Sequence, residues 1–185
     1  ILPMTVIRRL DAMLEPTKER VIKTYQAYKD KLENVDLLLT GSQGSGMSFY
    51  NYSKFTLQSL CNEPKNIRAN LENYLDSFSP NIQDIISKFK FKNQLDTLEE
   101  AGILFEVIER FCSPKINLSI NPTLDPQGNI LQQGLSNLGM GYVFEELIRK
   151  FNEENNEEAG EHFTPREIIQ LMTHLIFLPI KEQIQ

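Results

Sequence analysis

A mainly α-helical chain is predicted, on three observations. Apolar residues recur at steps of three and four wherever a pattern is readable. Pro, Ser and Thr stand where helix starts would need them. Turn-forming residues concentrate between Ser113 and Gly134, with three prolines and two glycines, and mark a boundary. With 185 residues and 41% hydrophobic content, the chain can bury one full core and part of a second. The expected division is a helical bundle over 1–134 and a second unit over 135–185.

The elements follow in order. Pro16 is placed for a first helical turn, and Val21, Ile22, Tyr25, Leu32 and Val35 then share one face. Gly41 to Gly46 is expected to be a flexible loop. Its lone G-x-x-G-x-G has no following Lys-Ser/Thr and no clear preceding strand, so it does not make a phosphate loop. Phe49, Tyr50, Tyr52 and Phe55 should pack the base of that loop. Ser79 and Pro80 read as cap and first position of a helix that buries Ile82, Ile85, Ile86 and Phe89. Ser87 to Lys92 interleaves lysines with Phe89 and Phe91. That pattern can meet a nucleic-acid backbone, but it fits core aromatics with lysines at a helix C-terminus better. Thr97 and Glu100 make a capping box ahead of Leu104, Val107, Ile108 and Phe111.

Weak alternation in Lys115 to Ile120 and Ile130 to Leu131, around Asp125-Pro126-Gln127-Gly128, predicts a small β-hairpin at 115–131. Met140, Val143, Phe144, Leu147, Ile148 and Phe151 form one helical face, and Asn152 to Glu158 is an acidic connection. A last helix begins in AGEHFTPREIIQLM, with Thr164 as cap, Pro165 at the first position and Glu167 closing a T-x-x-E box; Ile168, Leu171, Met172, Leu175 and Ile176 are its buried face. A cap explains Thr164, Pro165 and Glu167 completely. A second reading stays open, because a helix N-terminus offers unbonded N–H groups and the positive dipole end to a carboxylate or phosphate, with Phe163 beside it.

Several classes are disfavoured. A net charge of −6 gives no bulk affinity for nucleic acid, so any such role needs local patches or partners. Cys61 and Cys112 lie far apart without a C-x-x-C, against both a zinc site and a disulfide framework. Leu175 to Ile180 is too short to span a bilayer, and Ile1 to Met4 followed by Arg8 and Arg9 is not a signal peptide, so a cytoplasmic protein is expected. Arg8, Arg9 and Lys18 to Lys23, mixed with Asp11, Glu15 and Glu19, read as ordinary amphipathic surface. His162 lacks a second ligand at useful spacing, and His174 reads as a surface or half-buried residue. An opening without Met, inside an apolar stretch, suggests a piece of a longer protein.

Leu135-Ser136-Asn137-Leu138-Gly139-Met140-Gly141-Tyr142-Val143-Phe144-Glu145-Glu146-Leu147-Ile148-Arg149-Lys150-Phe151, followed by Gly160-Glu161-His162-Phe163-Thr164-Pro165-Arg166-Glu167, resembles the modification (M) subunit of type I restriction-modification systems. "LPMTVIRRLDAMLEPTKERV", "FYNYSKFTL", "NLENYLDSFSPNIQDIISKF" and "LDTLEEAGILFEVIERF" are similar to that family's N-terminal helical domain, so the resemblance covers almost the whole chain. It implies a subunit of an adenine-specific DNA methyltransferase that moves methyl from S-adenosylmethionine to adenine N6. Residues 1–134 would then be the N-terminal helical domain, and 135–185 the truncated start of an α/β methyltransferase domain.

The resemblance implies cofactor-site roles for Glu161, His162, Phe163, Thr164, Pro165 and Arg166, with Thr164 offering its hydroxyl and N–H. It also implies DNA, a specificity (S) subunit, a restriction (R) subunit and a second M subunit as partners, and no membrane. The family's Asp-Pro-x-x-Gly-x-Gly loop and Asn/Asp-Pro-Pro-aromatic motif are not met: Asp125-Pro126-Gln127-Gly128-Asn129 lacks the second glycine, and Asn121-Pro122-Thr123-Leu124 lacks the second proline and the aromatic. The chain alone is therefore expected to be inactive and to bind S-adenosylmethionine very weakly. A contrasting reading is a helical docking scaffold with no enzymatic role.

Overall fold

The computed structural model describes residues 1–155 and 164–183. The chain is mainly helical with one small antiparallel sheet, and it divides into two compact units, Ile1–Asn137 and Leu138–Gln185.

In the first unit, α1 (Leu2–Leu14) runs through a 3-10 turn at Glu15–Thr17 into α2 (Lys18–Tyr28). Pro16 thus lies in the connecting turn, not in the first turn of α2. Because α2 ends at Tyr28, Leu32 and Val35 fall outside it, and Leu32 is exposed. The short helices α3 (Asp36–Thr40) and α4 (Leu57–Leu60) precede a helical run of α5 (Ile67–Asp76), α6 (Pro80–Lys88), α7 (Phe91–Glu100) and α8 (Leu104–Phe111).

Ser79 and Pro80 occupy the cap and first position of α6 as predicted. The Ser79 hydroxyl, however, donates to Asn81 and accepts from the Tyr50 N–H instead of capping. The Thr97 box is not a helix start. Thr97 lies inside α7, its hydroxyl donating to the Asn93 carbonyl, and the break to α8 is made by Gly102 at φ +68°. There Gly102 N–H meets the Glu99 carbonyl and Ile103 N–H the Leu98 carbonyl, the paired bonds of a Schellman ending.

One core joins these helices. Met4, Ile7 and Leu14 of α1 meet Leu71, Tyr74 and Leu75 of α5, Ile82 and Ile86 of α6, Phe91 and Leu95 of α7, and Leu104 and Ile108 of α8. Each large side chain so enclosed contributes roughly 1.5–3 kcal/mol. Phe91 is therefore core and Phe89 partly so, and Lys88, in the last turn of α6, pairs with Asp84 at 2.6 Å as expected of a lysine at a helix C-terminus, whereas Lys92 lies in the first turn of α7 and pairs with Asp76 at 3.2 Å. A smaller cluster of Val21, Leu39 and Tyr50 carries the Tyr25–Tyr52 stack, with ring centroids 3.9 Å apart.

The glycine loop is anchored rather than free. Arg20 and Thr24 donate to the Gly44 and Gln43 carbonyls at 2.7 Å, and Ser45 N–H donates to the Leu39 carbonyl at 2.7 Å. A Cβ on Gly44 would collide with the Leu39 backbone, so glycine is needed for this close approach.

Three charged residues of the supposed surface stretches, Arg9, Asp11 and Lys18, are interior, while Glu15, Glu19, Arg20 and Lys23 are exposed. Asp11 is buried; it accepts from Tyr74 Oη at 2.7 Å and from Leu57 N–H at 3.3 Å. Lys18, also buried, donates to Asn51 Oδ1 at 2.7 Å and lies over the Tyr74 ring. Burial pushes Asp11 above the usual carboxylate range and brings Lys18 down to about 8. The Arg9 guanidinium reaches the Leu118 carbonyl at 2.5 Å, the Leu135 carbonyl at 2.8 Å and Asn137 Oδ1 at 2.9 Å, pinning the turn-rich segment to α1. Charged residues at helical spacing read as surface when their partners are remote in sequence.

The hairpin is present, formed by β1 (Thr123–Leu124) and β2 (Ile130–Gln132). Its first strand is not the expected Lys115 to Ile120. That segment instead folds through Asn117 and Ser119 side chains that bond backbone nearby. In the turn, Asp125 accepts from the N–H groups of Gln127 and Asn129 and from Asn129 Nδ2, and Gly128 takes φ +87°. The Asp-Pro-x-Gly string thus serves as a turn.

The second unit contains most of α9 (Asn137–Asn155), α10 (Arg166–Phe177) and a 3-10 turn at Leu178–Gln183. On α9 the predicted face is graded: Met140 is buried, Val143, Phe144, Leu147 and Ile148 are half-buried, and Phe151 is exposed. The predicted burial of the α10 face is not found. Ile168, Leu171, Met172, Leu175 and Ile176 are all exposed, Leu175 at 68%, because no described element covers them.

Candidate cofactor-binding site

Thr164, Pro165 and Arg166 are the candidate site residues that fall within the described residues; Glu161, His162 and Phe163 lie outside them. The start of α10 differs from the predicted box. Pro165 is the N-cap, with extended backbone at φ −52° and ψ 140°, and its carbonyl accepts from Ile168 and Ile169 N–H at 3.1 and 3.2 Å. No side chain caps the helix, so the Thr164-x-x-Glu167 box is not made. Proline already supplies the non-helical cap geometry, which moves Thr164 one step outside and Glu167 to the second helical position. Thr164 is exposed and its hydroxyl is not spent on the cap.

Arg166 is turned away from the helix end. Its Nε donates to Glu145 Oε1 at 2.5 Å, with both side chains about 30% exposed, and its guanidinium carbon lies 4.6 Å from the centre of the Tyr142 ring. A Cβ on Gly141 would strike the guanidinium, so a residue without one leaves room for it. Tyr142 and Glu145, three apart on one face of α9, thus hold α10 through a salt bridge and a cation–π contact. Sequence reasoning had no local signal for this pairing, which spans 21 positions.

A cation at the first position of a helix opposes the dipole. Pairing with Glu145 removes that conflict. The backbone N–H groups of Arg166 and Glu167, first and second in the helix, have no intrahelical acceptor. What remains at this end is a small electropositive patch of N–H donors beside an exposed hydroxyl, suited to a carboxylate or another anion.

Residues 1–111 match the HsdM N-terminal domain. The chain belongs to the family of HsdM N-terminal domains. Residues 136–185 match the N-6 DNA Methylase family, and the candidate site lies within that stretch. For this HsdM chain the two matches together are those of a modification subunit of a type I restriction-modification system. No curated protein and no solved structure matches the chain. Among the described residues no helix is long and apolar enough to cross a membrane, and no group of His, Cys, Asp and Glu is placed to hold a metal.

Proposed function

We propose that this chain forms part of the DNA-methylating subunit of a type I system, in which methyl passes from S-adenosylmethionine to adenine N6. Residues 1–134 act as the helical domain that helps close around DNA and meets partner subunits, and 135–185 begin the methyltransferase domain. DNA, a specificity subunit, a restriction subunit and a second modification subunit are the partners, in the cytoplasm. The observation that carries the reading is the start of α10, where unbonded N–H groups, the dipole and the Thr164 hydroxyl face outward while Arg166 is held back by Glu145.

These donors fit the carboxylate end of S-adenosylmethionine. Thr164 and the first-turn N–H groups would bind it, Pro165 would fix their direction, and Glu161, His162 and Phe163 would complete the same wall. Arg166 acts through position rather than contact, locking α10 to α9. When bound, the cofactor supplies an electrophilic methyl group on sulfur. Residues 1–185 alone are inactive in this reading, since neither the glycine-rich loop nor the Asn-Pro-Pro-aromatic motif is among them.

Thr164→Ala tests it in the complete, S-subunit-bound enzyme. The expected result is a rise in KM for S-adenosylmethionine of about tenfold, the cost of roughly 1.4 kcal/mol of charge-assisted hydrogen bonding, with an unchanged melting temperature. An unchanged KM would remove Thr164 from the site. Were the melting temperature to fall with KM unchanged, Thr164 would have a structural role only.

A further inference from the structure

Where the end of α5 meets α6 and the start of α7, the helical bundle opens into a cavity of about 400 Å³. That volume lies within the roughly 300–1,000 Å³ of small-molecule sites. Leu75, Ile86 and Phe91, all core residues, give the cavity an apolar lining, and Ser87, Lys90 and Asn93 are among the polar residues beside them. Its walls are tied together. Gln83 Nε2 donates to the Asp76 and Phe78 carbonyls at 2.7 Å each, which fastens α6 to the end of α5.

Two lysines and one carboxylate line the cavity, a positive surplus in a chain whose net charge is −6. Lys92 pairs with Asp76 at 3.2 Å. Among the described residues nothing pairs with the Lys90 ammonium, so that charge is left over. Lys90 is also the one non-glycine residue with positive φ among the described residues, at φ 49° and ψ 39°. Glycine would take this conformation without strain, so a lysine kept there points to a use for its side chain. The backbone around it is fixed: Lys90 N–H donates to the Ser87 carbonyl at 2.8 Å, and the Lys90 carbonyl accepts from Asn93 N–H at 3.1 Å.

We propose that this cavity binds a small phosphate monoester of nucleotide size, with Lys90 and Lys92 as the cationic contacts and Leu75, Ile86 and Phe91 against the organic body. A lysine ammonium is a point charge suited to phosphate oxygens. Bare phosphate would leave most of the volume and the apolar lining unfilled. The backbone of a DNA duplex shares the phosphate chemistry, but it would cross the rim without entering. None of these residues belongs to the candidate cofactor site, and none is needed for methyl transfer as read above.

Calorimetric titration of the full chain with adenosine monophosphate tests the site, beside inorganic phosphate and a short DNA duplex. The nucleotide should bind one to a chain with a Kd below about 1 mM, and inorganic phosphate about tenfold more weakly for want of an organic body. The duplex should not displace the nucleotide at equal phosphate concentration. Lys90→Gly should weaken nucleotide binding by about tenfold while the melting temperature holds or rises, since glycine adopts the left-handed conformation freely. Lys90→Arg should keep most of the affinity. Equal affinity for nucleotide and bare phosphate would leave only a counter-ion on surface lysines, and displacement by the duplex would leave a backbone contact; either overturns the proposal. So would full binding by Lys90→Gly, or no saturable binding at all. The unaltered chain by itself decides between nucleotide, bare ion and duplex, whatever the variants do.

Discussion

Replacing Arg9 by Ala should release the turn-rich segment from the helical bundle. Arg9 as a residue is 6% exposed, and its guanidinium donates three bonds, to the Leu118 and Leu135 carbonyls and to Asn137 Oδ1, at 2.5, 2.8 and 2.9 Å. A hydrogen bond from a charged donor contributes roughly 1.5–3 kcal/mol. Three would give about 4.5–9 kcal/mol before offsets. Against this stands the desolvation of a cation with no carboxylate in these contacts, visible in the lowered Arg9 pKa, and water can reach the freed carbonyls once the segment lifts. The net loss should be about 3 kcal/mol. Chemical denaturation of Arg9→Ala and Arg9→Lys, with limited proteolysis, reads it out. Ala should lose most of that stability and gain cleavage sites between 113 and 136, whereas Lys, able to keep part of the set, should fall between. A loss under about 1 kcal/mol with an unchanged cleavage pattern would refute the clamp.

Two further outcomes come from the same bundle. Gly44→Ala should cost on the order of 2 kcal/mol, because the new Cβ meets the Leu39 backbone and not a movable side chain; full stability in denaturant would mean the loop can relax. Lys18 has a folded pKa of about 8 against an ordinary 10.5, so the unfolded chain holds the proton more tightly between those values. The Lys18 contribution to stability should therefore rise with pH from about 8 to 10.5, by on the order of 3 kcal/mol. Subtracting the pH profile of Lys18→Met isolates it; parallel profiles would place the ammonium in water.

Features set by neighbours were legible, and those set by distant partners were not. Ser79-Pro80 opens α6 as read, since a cap and a fixed φ act within one turn. Thr97-x-x-Glu100 has the composition of a cap but sits inside α7, because the S/T-x-x-E string is compatible with a helix interior and Gly102 decides where the break falls. Asp11, Arg9 and Lys18 alternate with other charges as a solvated face would. Their burial depends on Tyr74, Leu118 and Asn51, which no local pattern can connect to them. The same holds for Arg166 with Glu145. At the candidate site, the helix start was placed correctly to within one residue, and the cap chemistry was not.

The bare face of α10 bears on how a polypeptide of residues 1–185 by itself behaves in the test tube. With Leu171 at 59% and Leu175 at 68% exposure beside Ile168, Met172 and Ile176, the helix presents oil to water along its whole length. Such a surface binds fluorescent hydrophobic dyes, recruits chaperones and drives concentrated samples toward precipitation.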